Sequence, residues 1–441
     1  MKLHLILLIF IFFYGCSFDN KSGIWKSETN IEKNKENNFS QFKDLNTSRN
    51  FFNKEINIKD EFNFKLPETF SNAEWLDIFF NKYNNSKNFK FNSLNRKSFQ
   101  SKRITKHKIN DNIFFEDDNV ISTDYAGNII IYSLSKKRII IKFNFYKKKF
   151  KKNIKKLNLI IEDNIIYVSD NLGYLYSFDY YKNKVLWAKN FKVPFRSNLK
   201  ILENQLILSN QNNHLYYVNK NNGNILKFIP TEETLVKNKF INNILTDGNS
   251  TFFLNTFGSL YSIDNQKMQI NWFINLNENL NNDLSNLFSG NKLIYFNNKI
   301  VVTTNNYTYI INSDTGSIIF KKNFSSFIKP FIINNYLFLI SKNNLLISFD
   351  LNNGEIIYSH NINNQISKFL EINKKNAEFK NIFMMNDKIY IFLKNSYLLI
   401  YKINGNLDNI IKLPIKLNSQ PIIIRDSIIF LNLKNKVSII N

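Results

Sequence analysis

Cys16 is the only cysteine in 441 residues, and it stands directly behind a wall of Leu, Ile and Phe. A thiol is the strongest latent nucleophile a chain can carry, so its options come first. Alone, it makes no intramolecular disulfide and no zinc or dithiol redox motif. Histidine offers little more. Beyond the first few residues there are His107, His214 and His360, far apart and in no H-E-x-x-H spacing, so a histidine metal cluster is not expected. His214 reads as a turn residue beside a strand start. No G-x-S-x-G, P-loop or paired-carboxylate motif appears. Asp179, Asp264 and Asp350 recur at turn positions and do not cluster. These residues assign no catalytic group, no cofactor and no metal, and an enzyme is not expected.

What remains open to Cys16 is a covalent lipid. Lys2 supplies a minimal positive start, and "LHLILLIFIFFY" (3–14) is an apolar run of 12 residues. A membrane span needs about 20 residues, whereas a secretory signal uses a run of this shorter length. The run ends in "FYGC", which resembles the lipobox of bacterial lipoproteins: Gly15 matches, while Phe13 and Tyr14 are bulkier than usual. The resemblance implies cleavage before Cys16 and diacylglycerol on its sulfur. One acyl chain holds a protein only marginally at a membrane, and two or more hold it stably. Ser17 in place of Asp points, where the bacterial sorting rule applies, to the outer membrane. Residues 1–15 therefore read as a lipoprotein signal peptide. Residues 16–54 read as the lipidated cysteine and a flexible tether, rich in Asn, Lys, Ser and Glu with no apolar period. The expected location is the periplasmic face of the outer membrane, lipid-anchored.

The formal charge of +24 invites a nucleic-acid reading. The excess is almost all Lys, with six Arg (Arg49, Arg96, Arg103, Arg138, Arg196, Arg425) and only four Ala. Lys, Asn, Ile and Phe are the residues an A+T-rich genome favours. Arg, the residue suited to bidentate base and phosphate contacts, is scarce. No nucleic-acid partner is expected. The densest basic run, "YKKKFKKNIKK" (146–156), lies between two strand candidates and reads as a solvated loop, with weak attraction to anionic lipid as the alternative.

The rest of the chain repeats. "NIIYVSDNLGYLYSFDYYKNKVLWAKNF" (164–191), "STFFLNTFGSLYSIDNQKMQINWFINL" (250–276) and "NYLFLISKNNLLISFDLNNGEIIYSHNI" (335–362) show the unit: a β-rich run, a polar turn, a second β run closed by Asp or Asn, another turn, a third β run. Anchored on Ser135, Asp179, Asn219, Asp264, Asn312, Asp350 and Ile403, successive copies lie 38 to 53 residues apart. Several strands per unit at such a period predict β-propeller blades. Seven full copies and a truncated one, "DSIIFLNLKNKVSII" (426–440), predict an all-β, eight-bladed propeller over residues 55–441. Gly223, Gly316 and Gly354 mark tight turns that need φ > 0, with Asn183 standing in where glycine is missing. Trp187 and Trp272 occupy equivalent places and are expected to pack between blades.

A ring has to close or it leaves bare edges. The segment expected to complete blade eight lies within "EINIKDEFNFKLP" (55–67). "AEWLDIFFNKYNNSKNFKF" (73–91) is expected to cross over, with Trp75 plugging the closure region. "SKRITKHKI" (101–109) is expected to open blade one as its outer strand.

The blade pattern, "LYSFD…NK…W" and "LISFDLNNGEIIY", resembles the repeat of pyrroloquinoline-quinone (PQQ) dehydrogenases and their non-enzymatic relatives. Together with the lipobox it is similar to the BamB family, lipoprotein subunits of the outer-membrane β-barrel assembly (BAM) machinery. The resemblance implies a scaffold that binds the periplasmic domains of a BamA-like barrel-forming subunit, and that offers edges to unfolded outer-membrane protein strands. In "FKVPFRSNLKI" (191–201), Phe195 and Arg196 match the apolar–Arg pair that contacts BamA in that family. The Gly-Glu-Ser-Ala-Pro that often follows the pair is replaced by "SNLKI". The alternative for Arg196 is an exposed loop cation. Two other functions stay open: a PQQ-dependent quinoprotein dehydrogenase-like enzyme, and a general periplasmic binding propeller.

Overall fold

A computed structural model describes residues 16–18, 25–27 and 51–441, apart from 61, 93–95, 147–149, 234–240, 278–291, 327 and 372–375. The expected signal peptide (1–15) and most of the expected tether lie outside the described residues. The chain divides into two units, Met1–Asn50 and Phe51–Asn441. In the first, Cys16–Phe18 pairs antiparallel with Trp25–Ser27, Cys16 opposite Ser27.

The second unit is an eight-bladed β-propeller. Blade one starts with the inner strand Ile109–Glu116 and ends with the outer strand Arg138–Asn144; blade two runs from Leu157–Glu162 to Lys184–Asn190. Blades three to six have inner strands Lys200–Leu202, Asn243–Thr246, Ile294–Phe296 and Phe331–Ile333. Blade seven spans Phe379–Met385 to Leu407–Lys412, and blade eight begins at Ile422–Ile424.

Local chemistry explains each blade. In seven of the eight blades the turn between the first two strands is a two-residue hairpin, and at five of these both residues have positive φ: Asp117–Asp118, Asp163–Asn164, Asn297–Asn298, Asn386–Asp387 and Arg425–Asp426. Such a turn matches the right-handed twist of the strands it joins, and Asn and Asp tolerate its backbone better than most residues. The next turn but one is closed by a side chain. Asp179 Oδ1 accepts the Lys182 N–H (2.8 Å), Asp264 Oδ1 accepts those of Gln266 and Lys267 (2.9 and 2.7 Å), and Asp350 Oδ1 accepts that of Asn352 (2.8 Å). The recurrent acidic residues are turn residues, as their spacing indicated. In blades one to seven a bulge lies between the third and outer strands, for example at Ser177/Phe178 and Ser262/Ile263. Bulges increase local twist, which lets the outer strand swing away from the axis.

Second and third strands are buried on both faces, whereas outer strands alternate, as in the exposure pattern of Lys184–Asn190. The apolar cores lie between blades. One cluster joins blades one and two through Phe114, Leu159 and Phe178; another joins four and five through Phe252, Leu293 and Tyr309. The largest joins blades seven, eight and one.

Gly223 and Gly316 have φ of +73° and +72°, and a Cβ on either would lie 2.6 or 2.7 Å from Trp187 or Trp272 of the preceding blade. Each indole also donates its Nε1–H to the same blade as the glycine, Trp187 to Lys220 O and Trp272 to Ser313 O, both at 2.9 Å. The tryptophans therefore pack between blades as expected, and the glycines serve two purposes: the turn, and room for the ring. Phe320 over Gly354 repeats the arrangement.

Ring closure differs from the sequence expectation. The outer strand of blade eight is Lys97–Arg103, antiparallel to the carboxy-terminal strand Lys436–Ile440, with Phe99 opposite Ile439. Residues 55–67 instead lie along blades six and seven. Ile56 makes a single bridge to Ser359, and Ile58, Phe62, Phe64 and Leu66 pack on the core between those blades. Residues 101–103 belong to the closing strand, so they do not open blade one, whose inner strand starts at Ile109.

Candidate functional site

Residues 70–92 make a circuit of the central channel. Asn72 donates its side-chain amide to Ile423 O of blade eight at 2.9 Å. Trp75 and Phe115 of blade one exchange backbone hydrogen bonds (2.8 and 3.0 Å), and Leu76 O accepts the Ile161 N–H of blade two. Asp77 receives Lys200 Nζ of blade three at 2.5 Å. Lys82 O and Tyr83 O accept the N–H groups of Thr246 and Tyr295, in blades four and five. Asn85 both accepts from Ile332 N (2.9 Å) and donates to Ile332 O (2.8 Å) in blade six. Asn88–Phe89 runs parallel to Met384–Met385 of blade seven, and Asn92 returns to blade eight. Apart from Ile244, the blade residues that meet the segment through their backbones stand in or after the middle of their inner strands, whereas Lys200 and Lys329 reach it through their side chains from the starting ends. The segment is thus a girdle closing one end of the channel. Trp75, expected at the closure seam, sits in this girdle against Phe80, Phe89 and Phe383.

The other end of the channel is open. A cavity of about 340 Å³ has the girdle residues Trp75, Ile78 and Phe79 as its floor. Its walls come from the starting ends of inner strands, and among them are Lys292, Lys329 and Lys380, with Asp111 as the one carboxylate. Lys329 Nζ donates to Asn84 O of the girdle at 2.8 Å, and Lys380 Nζ donates to Asn418 O. Lys329 is partly exposed at the cavity wall. Burial, with the neighbouring Lys200 and Lys292 cations opposing Asp77, pulls its ammonium down to about 7. Burial likewise lowers Lys292 and Lys380.

Among the described residues, no group of three or more His, Cys, Asp and Glu is placed to hold a metal ion, and no helix is long and apolar enough to cross a membrane. The larger hollow, about 760 Å³, lies on the girdle side, where Tyr83 and Tyr295 stack with centroids 5.6 Å apart.

The loop 191–199 links blades two and three on the open face. Phe195 is 3% exposed and packs with Phe191 and Tyr216. Arg196 is half-buried; its N–H donates to Ser209 O (3.0 Å) and its carbonyl accepts the Asn242 N–H (2.8 Å). The two side chains therefore differ: the Phe195 ring is a core anchor, whereas Arg196 is only partly buried. The basic run 146–156 is not wholly a solvated loop. Tyr146 donates to Asp170, and Lys155 is buried, with its Nζ donating to Phe150 O and lying 5.3 Å from the centroid of the Tyr146 ring. His214 is held in its turn, its N–H donating to Asn210 Oδ1 at 3.0 Å. Sequence reasoning missed the girdle and the lysine-walled cavity. The one available signal was Lys200, a lysine in an otherwise apolar strand start.

Residues 157–360, from the first strand of blade two to the last of blade six, match the family model described as "Outer membrane protein assembly factor BamB". The repeat of these five blades is similar to that of the BamB family. Its propeller superposes on the crystal structure of BamB from Moraxella catarrhalis with a TM-score of 0.61 and 11% identity, covering 78% of this chain and 100% of that one. The same ring is similar to a quinohemoprotein alcohol dehydrogenase from Comamonas testosteroni (TM-score 0.61, 8% identity, 83% of this chain and 80% of that one). It is also similar to the computationally designed Ika8 protein (TM-score 0.58, 9% identity, 78% and 99%). At these identities the superpositions speak for the fold. No curated protein matches the sequence.

Proposed function

We propose that the chain is a non-enzymatic scaffold subunit of the machinery that assembles β-barrels in the outer membrane, anchored by lipid on Cys16 and docking on a BamA-like subunit through the open face around Arg196. The observation that carries this reading is the match of five consecutive blades to the BamB family model. The disposition of the carboxylates supports it against the dehydrogenase alternative: Asp179, Asp264 and Asp350 are spent on turns, and Asp77 on Lys200. Outer edges suit client strands. The chain's own Ile56 already pairs with Ser359 at the edge of blade six, and blade three exposes Ile225, Leu226 and Phe228 on its outer strand.

The test is co-purification from the native envelope in mild detergent, comparing the wild type with Arg196→Glu. The barrel-forming subunit is expected with the wild type and depleted with the variant. Phe195 is left intact, because removing a buried Phe costs about 3–5 kcal/mol and would confuse misfolding with lost contact. Cys16→Ser is expected to move the protein from the membrane to the soluble fraction. Loss of neither membrane attachment nor partner would count against the reading, and quinone bound to the purified protein would favour the dehydrogenase.

A further inference from the structure

We propose that the hollow on the girdle side, between the girdle and the first hairpins of blades five and six, binds a short neutral saccharide, with Phe70 and Tyr83 against its ring faces and Asn81 and Ser86 on its hydroxyls. The hollow measures about 760 Å³. That lies within the ~300–1,000 Å³ usual for small-molecule sites. Its lining holds one ammonium, Lys87, and one carboxylate, Glu68, so it selects no charge. Six asparagines and four aromatic rings make up most of the rest.

The hollow has polar capacity to spare. Ser86 lines it and is 3% exposed, and its Oγ has no hydrogen-bond partner. A buried hydroxyl left unpaired is costly, and a ligand hydroxyl beside it removes that cost. Asn81 spends its Oδ1 on the N–H groups of Tyr83 (3.0 Å) and Asn85 (3.2 Å), which leaves its Nδ2 to donate. Carboxamides and hydroxyls give and take hydrogen bonds in the same way as sugar hydroxyls.

The rings supply the apolar half of the match. Tyr83 is held by stacking on Tyr295, and Phe70 is 36% exposed. Aromatic faces carry negative charge and suit the polarised C–H faces of a pyranose. Lys87 Nζ stands 4.0 Å from the Phe70 ring centroid, on a flexible stem that can yield that face. An extended peptide is the less suited occupant, because it needs free strand edges. Those at the hollow are taken: the N–H and C=O of Ile332 by Asn85, and the Tyr295 N–H by Tyr83 O. The site lies on the face opposite Arg196, so its failure would leave the proposed docking untouched, and the reverse.

Isothermal titration of the full chain, in a detergent without a sugar headgroup, tests the site with diacetylchitobiose and with cellobiose. One saturable site per chain is expected for at least one of them, with affinity indifferent to ionic strength. A preference for diacetylchitobiose assigns an acetamido sugar, and one for cellobiose a plain hexose. Phe70→Ser should weaken binding about tenfold. Ser86→Ala should weaken it by about two- to tenfold, as for one neutral hydrogen bond. Its thermal midpoint without sugar should not fall, because the hydroxyl removed was unpaired, and this separates a binding role from a structural one. Tyr181→Ser, at a ring 84% exposed on blade two, should leave binding unchanged. No saturation with either disaccharide overturns the proposal, as does full binding by both Phe70→Ser and Ser86→Ala, or equal weakening by Tyr181→Ser. Saturation by tetraglycine and by neither disaccharide would reassign the hollow to a peptide and overturn it too.

Discussion

Lys200 and Asp77 are 1% and 8% exposed, and they tie the girdle to blade three. Lys200 also donates to Asn81 O at 2.9 Å, and Asp77 accepts the Phe79 N–H at 2.8 Å. Lys200→Met would leave the Asp77 carboxylate buried without its cation, so a loss of about 3–5 kcal/mol is expected in urea unfolding. Lys329 should behave oppositely. Its ammonium is held at about 7 in the fold against an ordinary 10.5. Between those values the unfolded chain holds more protons than the native one, so this group makes stability rise with pH from about 7 upward, and it lowers stability in full below that. Lys329→Met should flatten that rise and be the more stable protein below about pH 7. Midpoints measured across the range for both proteins check the sign. These roles were invisible in a chain with 59 basic residues, where no lysine stands out by type.

At the scale of elements, inter-blade locking is the most exacting feature. Gly316→Ala would place a Cβ 2.7 Å from the Trp272 ring at a φ of +72°. Left-handed backbone costs a non-glycine residue about 1–2 kcal/mol and overpacking about 1–3 more, so a loss of ~2–5 kcal/mol is expected in denaturant unfolding. The blades were legible because their signals are local: Asp or Asn closing a strand, glycine four residues on, β-branched runs between. The closing strand was not. "EINIKDEFNFKLP" alternates faithfully, and its Ile58, Phe62, Phe64 and Leu66 do bury, but against side chains of blades six and seven. "KSFQSKR" has little apolar alternation and joins blade eight through backbone pairing, with Ser101 its one buried residue. Backbone pairing leaves almost no trace in side-chain pattern. The girdle was hidden for a related reason: it binds through Asn72, Asn84 and Asn85 amides to backbone groups, in a sequence where asparagine is everywhere.

For the whole molecule, one ring depends on the pairing of Lys97–Arg103 with Lys436–Ile440, reinforced by Arg96 and Asn441 exchanging backbone hydrogen bonds. Removing residues 436–441 should open the ring at blade eight, expose bare edges and abolish the single cooperative unfolding transition, which limited proteolysis and calorimetry would both register. A closed ring fixes two faces with different chemistry: one sealed by the girdle, the other bearing Arg196 and the lysine-walled cavity. The proposed docking requires the open face to meet the assembly machinery. Site-specific photo-crosslinking in intact envelopes asks this directly, with the crosslinker at Arg196 and, as the opposite-face control, at Asn353. An adduct with the barrel-forming subunit is expected from position 196 and none from 353. An adduct from 353 alone, or none with that subunit from either position, would contradict it.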